Sequence, residues 1–271
     1  MSDQNQLLGR FLEFSIQTPD VVESLGFYKL LGFQELEVGD VWSHKYAVVS
    51  DGELNIGLHD REQGGAAITF VHHDLARQAR NMSDAGLDFR YLKVDNDVFN
   101  ELCFADRDQN LVMMVEARTF SPGDEISENS LCGGWFEISL PVKDTMRAGR
   151  FWAPLAPELL RLREEPTTHM RFNAGEMSLG LSESIALKGP SLCFRCPDKD
   201  AVWTAIARHG FPFKEFPGYE GAFMILEAPE GTNLFLFSED FLGELYEVSE
   251  TDEEGDDYEE DDYEEESGED D

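Results

Sequence analysis

Basic residues are scarce in this 271-residue chain: Lys+Arg 21 stand against Asp+Glu 56, a formal net charge of −35. Direct nucleic-acid binding through a basic surface is therefore not expected, because phosphate affinity rests on Lys and Arg. Long apolar runs are missing as well. None approaches the roughly 20 residues a membrane span needs, so no membrane partner is expected. The opening MSDQNQLLGR lacks a basic segment followed by an apolar stretch, which argues against a secretory signal. The four cysteines, Cys103, Cys132, Cys193 and Cys196, are too few for a disulfide scaffold. A cytoplasmic, reduced protein is the expectation. Cys193-Phe-Arg-Cys196 has the C-x-x-C spelling, but SLCFRCP reads as a strand, where residues three apart point to opposite faces. There is no second pair to complete four ligands. The Gly-Gly pairs at 64–65 and 133–134 lack the Lys and helix of a phosphate loop, and no G-x-S-x-G elbow is present.

What is present suffices for a core: hydrophobic residues make up 41% and aromatics 11%. The length suits one large domain or two ordinary ones. The acidic excess is uneven. Residues 247–271 hold 17 acids and no base, leaving 39 acids against 21 bases on the preceding 246 residues. Such a block of like charge cannot bury enough apolar surface to offset its ordering entropy, so a disordered acidic tail is expected from about Val248. Its reading is solubility. The alternative, suggested by Tyr258 and Tyr263 within the run, is a segment docking a basic protein partner.

The chain also repeats itself. A shift of 124 carries Glu13 to Glu137, Phe27-Tyr28 to Phe151-Trp152, Phe70 to Phe194, Asp74 to Asp198 and Gly86 to Gly210. A shift of 123 pairs GELNIGL (52–58) with GEMSLGL (175–181), and Asn110-Leu111 with Asn233-Leu234. Duplication is the economical explanation. It gives a first unit at 8–117, a polar linker at 118–131, a second unit at 132–240 and the tail at 247–271.

Each unit divides again. FLEFSIQ reads as a strand, followed by a helix opening at Pro19-Asp20, with Val21 or Val22, Leu25, Tyr28 and Leu31 facing a sheet. Strands follow near 34–38, 43–49 and 53–59. The pattern restarts at AITFV, with a helix over 74–85 capped by Gly86 and strands near 88–93, 100–104 and 110–116. Strand, helix and three strands, four times over, is an α+β architecture of four βαβββ modules.

Four patterns resemble the vicinal oxygen chelate superfamily, which includes glyoxalase I, extradiol dioxygenases and bleomycin-resistance proteins. They are Glu13…Pro19-Asp20…Phe27-Tyr28 with Leu31-Gly32-Phe33, its echo Glu137…Phe151-Trp152, and two closing strands, DRDQNLVMMVE (106–116) and PEGTNLFLFSE (229–239). The resemblance covers about residues 8–240 and implies two bidomains, each curling its sheet around a cup. In catalytic members it implies metal ligands from the first and last strands of the paired modules, projecting inward. Carried over by position, these are Glu13, Gly57, Ala67 and Met113 in the first half, and Glu137, Gly180, Ser191 and Leu236 in the second.

Hard divalent cations need several oxygen or imidazole donors at once. Each set keeps one carboxylate, so no metal or other cofactor is expected. A one-residue slip in the strands would bring in His59, Asp60 or Glu116. His44 and His169, on corresponding second strands, read as hydrogen-bonded wall residues. In His72-His73-Asp74 the aspartate reads as a helix N-cap. Glu13 and Glu137 then read as polar anchors or general bases in an apolar pocket, as wall residues paired with Arg, or as relics of an ancestral metal site. Phe211, Phe213, Phe216 and Tyr219 cluster between a helix and a strand, where they either roof a pocket or, the commoner explanation, pack.

The leading functional reading is a member of this superfamily with degenerate metal sites, holding a small apolar or aromatic molecule in its cup. The alternatives are a metal-dependent lyase, isomerase or dioxygenase of the same superfamily, and an interaction protein acting through the tail.

Overall fold

The computed structural model describes residues 7–37, 44–62, 64–95, 99–117 and 130–247. The acidic run from Val248 lies outside the described residues, as do residues 118–129 of the expected linker. The first half runs β1 (Arg10–Gln17), α1 (Val21–Leu30), β2 (Gln34–Leu36), β3 (Tyr46–Ser50) and β4 (Asn55–His59). It continues with β5 (Ala67–His72), α2 (Leu75–Asp84), β6 (Phe89–Lys93), β7 (Glu101–Ala105) and β8 (Leu111–Glu116). The second half repeats this as β9 (Gly134–Pro141), α3 (Thr145–Trp152), β10 (Glu158–Arg163), β11 (His169–Ala174) and β12 (Met177–Ser182). Then come β13 (Ser191–Cys196), α4 (Lys199–Arg208), β14 (Phe213–Lys214), β15 (Phe223–Glu227), β16 (Asn233–Ser238) and a further helix, α5 (Glu239–Glu247). The four βαβββ modules build two eight-stranded sheets, ordered β2-β3-β4-β1-β5-β8-β7-β6 and β10-β11-β12-β9-β13-β16-β15-β14.

One local device starts every module helix. Asp20 accepts from the Val22 and Glu23 amides at 3.0 and 3.1 Å, Asp74 from Arg77 at 3.1 Å, Asp144 from Arg147 at 2.8 Å and Asp198 from Ala201 at 2.9 Å. Each carboxylate satisfies an orphan amide and faces the positive end of the helix dipole. Asp74 is thus a cap, and His72 Nδ1 accepts from its amide at 3.1 Å while His73 stacks on His72. Gly86 and Gly210 end α2 and α4 at φ of +85° and +75°, a left-handed conformation that residues with a Cβ rarely adopt.

Strand alternation sorts the side chains of each sheet into two sets. In β1, Phe14 and Ile16 join the main core, whereas Glu13 and Ser15 face the other way. The main core is continuous across both halves and includes Tyr28, Phe70, Trp152 and Phe194, all fully buried. In helix α1, Val21 and Leu25 pack against this core, as the spacing predicts. Tyr28 and Leu31 are buried, but Val22 is 77% exposed, and Phe27 turns to Phe211 of the second half with ring centroids 5.5 Å apart. Glu230, also from the second half, accepts from Ser24 Oγ at 2.7 Å and Tyr28 Oη at 2.8 Å. Burial, with Glu230 alongside, pushes the Tyr28 phenol well above its ordinary value. The helix therefore serves the junction of the halves as well as its own sheet.

The opposite sheet faces form two cups with their own apolar groups. Ala67, Cys103, Leu111 and Met113 cluster in the first, and Cys193, Phe223, Ile225 and Phe235 in the second.

Candidate functional site

In the first cup, Glu13 is buried, 6% exposed, at the centre of a polar chain. Ser15 Oγ donates to Glu13 Oε1 at 2.6 Å and lies 2.7 Å from Thr69 Oγ1. His59 Nε2 sits 2.8 Å from Glu13 Oε1, and His59 Nδ1 lies 3.0 Å from His44 Nε2. His59 thus bridges the carboxylate and His44 through its two ring nitrogens. Tyr46 stacks on His59 at 5.8 Å. Burial, reinforced by His59 and Arg61, pushes His44 below the ordinary histidine value. Gly57 lies directly under the carboxylate; a Cβ there would overlap it. Ala67 and Met113 share this face but sit in the apolar cluster.

The second cup repeats the carboxylate with different partners. Ser139 Oγ donates to Glu137 Oε1, His169 Nε2 lies 3.1 Å from Oε2, and Arg171 Nε lies 3.6 Å from it. Arg171 is held in place by its own bonds to Phe136 O and Ser178 Oγ, both 2.9 Å. Burial pushes the Glu137 carboxyl up, but His169, Ser139 and Arg171 outweigh it and hold the group below the ordinary carboxylate range. Gly180 lies under this carboxylate as Gly57 does in the first half.

The two imidazoles come from different strands. Tyr46 pairs with His59 across β3 and β4, and His169 pairs with Ser182 across β11 and β12. In register, His169 therefore takes the place of Tyr46, and Ser182 the place of His59. A buried carboxylate is costly without a charged or hydrogen-bonding partner, and each half meets that need from a different position. No single shift along the sequence reveals this.

The register also relocates one residue of the expected set. Leu236 pairs with Phe194 and Met224 and belongs to the main core, not the cup. The Asn-Leu match suggested a shift of 123 in the closing strand. However, Ala67 pairs with Leu111 whereas Ser191 pairs with Asn233, so the structural shift is 122. One residue of slip exchanges the faces, and Phe235 is the counterpart of Met113. Ser191 does face the cup side, but its hydroxyl donates to Gly189 O at 2.8 Å.

A cavity of about 260 Å³ opens above Glu137 and is lined by Phe136, Ser139, His169, Cys193, Phe223, Phe235 and Phe237 among others. Near-opposite edges of the sheet, β11 and β15, both reach it, so the sheet curls round it. Phe216 and Tyr219 line its wall, while Phe211 packs on Phe27 and Phe213 is 39% exposed. Helix α5, which the sequence reading left out, closes one side with Phe241, Leu242 and Leu245.

Cys193 faces this cavity, whereas Cys196 points into the main core and donates to Cys132 O at 3.2 Å, as a strand's alternation requires. All four thiols are free and buried. Burial raises each, Cys196 to about 12. Since the thiolate is the nucleophile, the native protein at pH 8 should react negligibly with a disulfide reagent, and unfolding should release all four thiols. A rapidly reacting native thiol would contradict this placement.

Among the described residues, no group of three or more His, Cys, Asp or Glu is arranged to hold a metal ion. In the first cup, Glu13 and His44 contact different nitrogens of the His59 ring, which stands between them. In the second, the guanidinium of Arg171 already stands beside the carboxylate as its cation.

No family model matches the sequence, and no curated protein sequence matches it. Solved structures do. A catechol 2,3-dioxygenase superposes with a TM-score of 0.57 at 15% identity, covering 85% of this chain and 88% of its own. The 2,2',3-trihydroxybiphenyl 1,2-dioxygenase of Sphingomonas wittichii gives 0.57 at 16%, with 85% and 90% covered. A variant of homoprotocatechuate 2,3-dioxygenase from Brevibacterium fuscum gives 0.57 at 14%, with 85% and 71% covered. The chain shares the fold of these dioxygenases. Identity this low establishes architecture and nothing about chemistry. No helix among the described residues is long and apolar enough to cross a membrane.

Proposed function

We propose that the protein holds a small apolar or aromatic molecule in the cup of its second half, without a metal cofactor. The observation that carries this reading is the cavity of about 260 Å³ walled by Phe136, Phe216, Phe223, Phe235 and Phe237, with a few polar groups, Glu137, His169 and Ser139 among them, set into it. Ligand sites combine apolar walls with a few fixed polar groups, and this volume, just below the usual range of about 300–1,000 Å³, suits a small body of two or three aromatic rings. Glu137 is a positioning group in this reading. Held ionised by His169, Ser139 and Arg171, it orients the imidazole that faces the ligand.

The neutral fluorophore N-phenyl-1-naphthylamine tests the proposal. It should bind with one-to-one stoichiometry, and Ala186→Phe, which adds a ring to the cavity lining, should weaken it at least about tenfold while leaving the folded spectrum intact. Absence of saturable binding would reject the reading.

The structural likeness to dioxygenases supports a second reading, a metal-dependent enzyme. It requires donors beyond those described around Glu13 and Glu137. Metal analysis of protein purified without chelator decides between them. A stoichiometric divalent ion that is lost in Glu13→Gln or Glu137→Gln would favour the enzyme and overturn the metal-free proposal.

A further inference from the structure

Within a chain of net charge −35, the described lining of the second-half cavity carries one basic and one acidic residue, Arg163 and Glu137. Glu137 is the one acidic residue on the described lining, and its oxygens are already engaged by Ser139, His169 and Arg171. Across from the aromatic wall, the lining presents Arg163 from the end of β10 and the hydroxyls of Ser182 and Ser184. Each of these hydroxyl oxygens accepts a backbone amide: Ser184 N donates to Ser182 Oγ, and Ala186 N to Ser184 Oγ, both at 3.3 Å. Accepting fixes the oxygens and leaves their O–H bonds to be directed elsewhere, because a hydroxyl both donates and accepts. The guanidinium is a donor only. Rings on one side and donors on the other make the cavity two-faced.

We infer that its ligand is an aromatic acid: a two- or three-ring body against the Phe223, Phe235 and Phe237 wall, with a carboxylate directed toward Arg163, Ser182 and Ser184. This deepens the small-molecule reading above and rests on it. Planar guanidinium groups match carboxylate geometry and form charge-assisted bonds stronger than neutral ones. An anion also gains more here than on the surface, since the apolar walls exclude water and lower the local dielectric. The acidic exterior adds an expectation of its own. Long-range repulsion slows the approach of an anion, so raising the salt should speed association.

The test compares 2-naphthoate with its uncharged isostere 2-naphthamide by titration calorimetry on the full chain. The acid should bind at least about tenfold more tightly than the amide, as expected for one charge-assisted bond. Arg163→Gln should remove most of that preference while changing amide affinity by no more than about twofold. Ser182→Ala with Ser184→Ala, which removes both hydroxyls, should reduce the same preference in protein whose folded spectrum matches the parent, and provides the check should Arg163→Gln fail to fold. Equal or tighter binding of the amide, or an acid preference that survives both variants, overturns the inference and leaves the small-molecule reading standing. Failure of 2-naphthoate, 2-naphthamide and N-phenyl-1-naphthylamine alike would overturn both.

Discussion

Replacing Arg171 with methionine should lower the stability of the folded chain by about 3 kcal/mol, because it strips the guanidinium from a carboxylate that stays buried. Glu137 has 3% side-chain exposure against 20% for Arg171. That residual contact of Arg171 with water, together with the remaining bonds from His169 and Ser139, places the loss at the low end for a broken buried pair. For a chain of this size the melting temperature should fall by roughly 6–12 °C. The pH dependence is specific. In the fold the Glu137 carboxyl lies below its ordinary value, so its ionised form contributes stability that is fully present above the ordinary carboxylate range. That stability is lost as pH falls through the lowered value. Arg171 is one cause of the lowering. The deficit of Arg171→Met against the parent should therefore be largest near neutrality and shrink below about pH 4. Urea midpoints measured from pH 3 to 7 check this, and a deficit independent of pH would assign Arg171 to packing alone.

Adding one carbon beneath either carboxylate should be nearly as damaging. In Gly180→Ala the new Cβ overlaps the Glu137 carboxylate and crowds the His169 ring, and in Gly57→Ala it overlaps Glu13. The carboxylate has to leave its hydrogen bonds or the strands have to part, at about 3 kcal/mol in each case, the upper end for overpacking. Gly26 is the control. It lies within α1 with open space where a Cβ would go, so Gly26→Ala should leave stability unchanged or raise it by about 0.5–1 kcal/mol. The two damaging changes should differ in one respect. Gly180→Ala should also weaken N-phenyl-1-naphthylamine, since Glu137 and His169 line the cavity, whereas Gly57→Ala should leave its affinity near that of the parent. Equal loss of binding in both would indicate general loosening instead of a local site.

The repeat made much of this molecule legible from its residues. Asp74 and Asp198, related by a shift of 124, both cap helices, and that shift carries Asp20 to Asp144, which cap the other two. Helix starts depend on a side chain meeting an amide two or three residues away, so they are written locally. Glu13 and Glu137 stood out for a related reason: a carboxylate flanked by apolar strand neighbours must find partners once folded. Which partners it finds was not legible. His59 reaches Glu13 from β4 and His169 reaches Glu137 from β11, and strand order decides both. Phe235 was displaced from the expected set by a single residue of register between β13 and β16, a quantity carried by pairing and not by composition. Helix α5 follows β16 directly and escaped notice because its sequence, EDFLGELYE, shades into the acidic run.

From its residues alone the chain determined the four modules, the caps that start their helices and the two buried glutamates, because each depends on periodicity or on neighbours within a few positions. Tertiary structure decided which imidazole serves which glutamate, which face of the last strand meets the cup, and that α5 closes the aromatic cavity. Those outcomes depend on contacts between residues up to 46 positions apart in the glutamate–imidazole pairs, and only the curled sheet brings them within bonding distance.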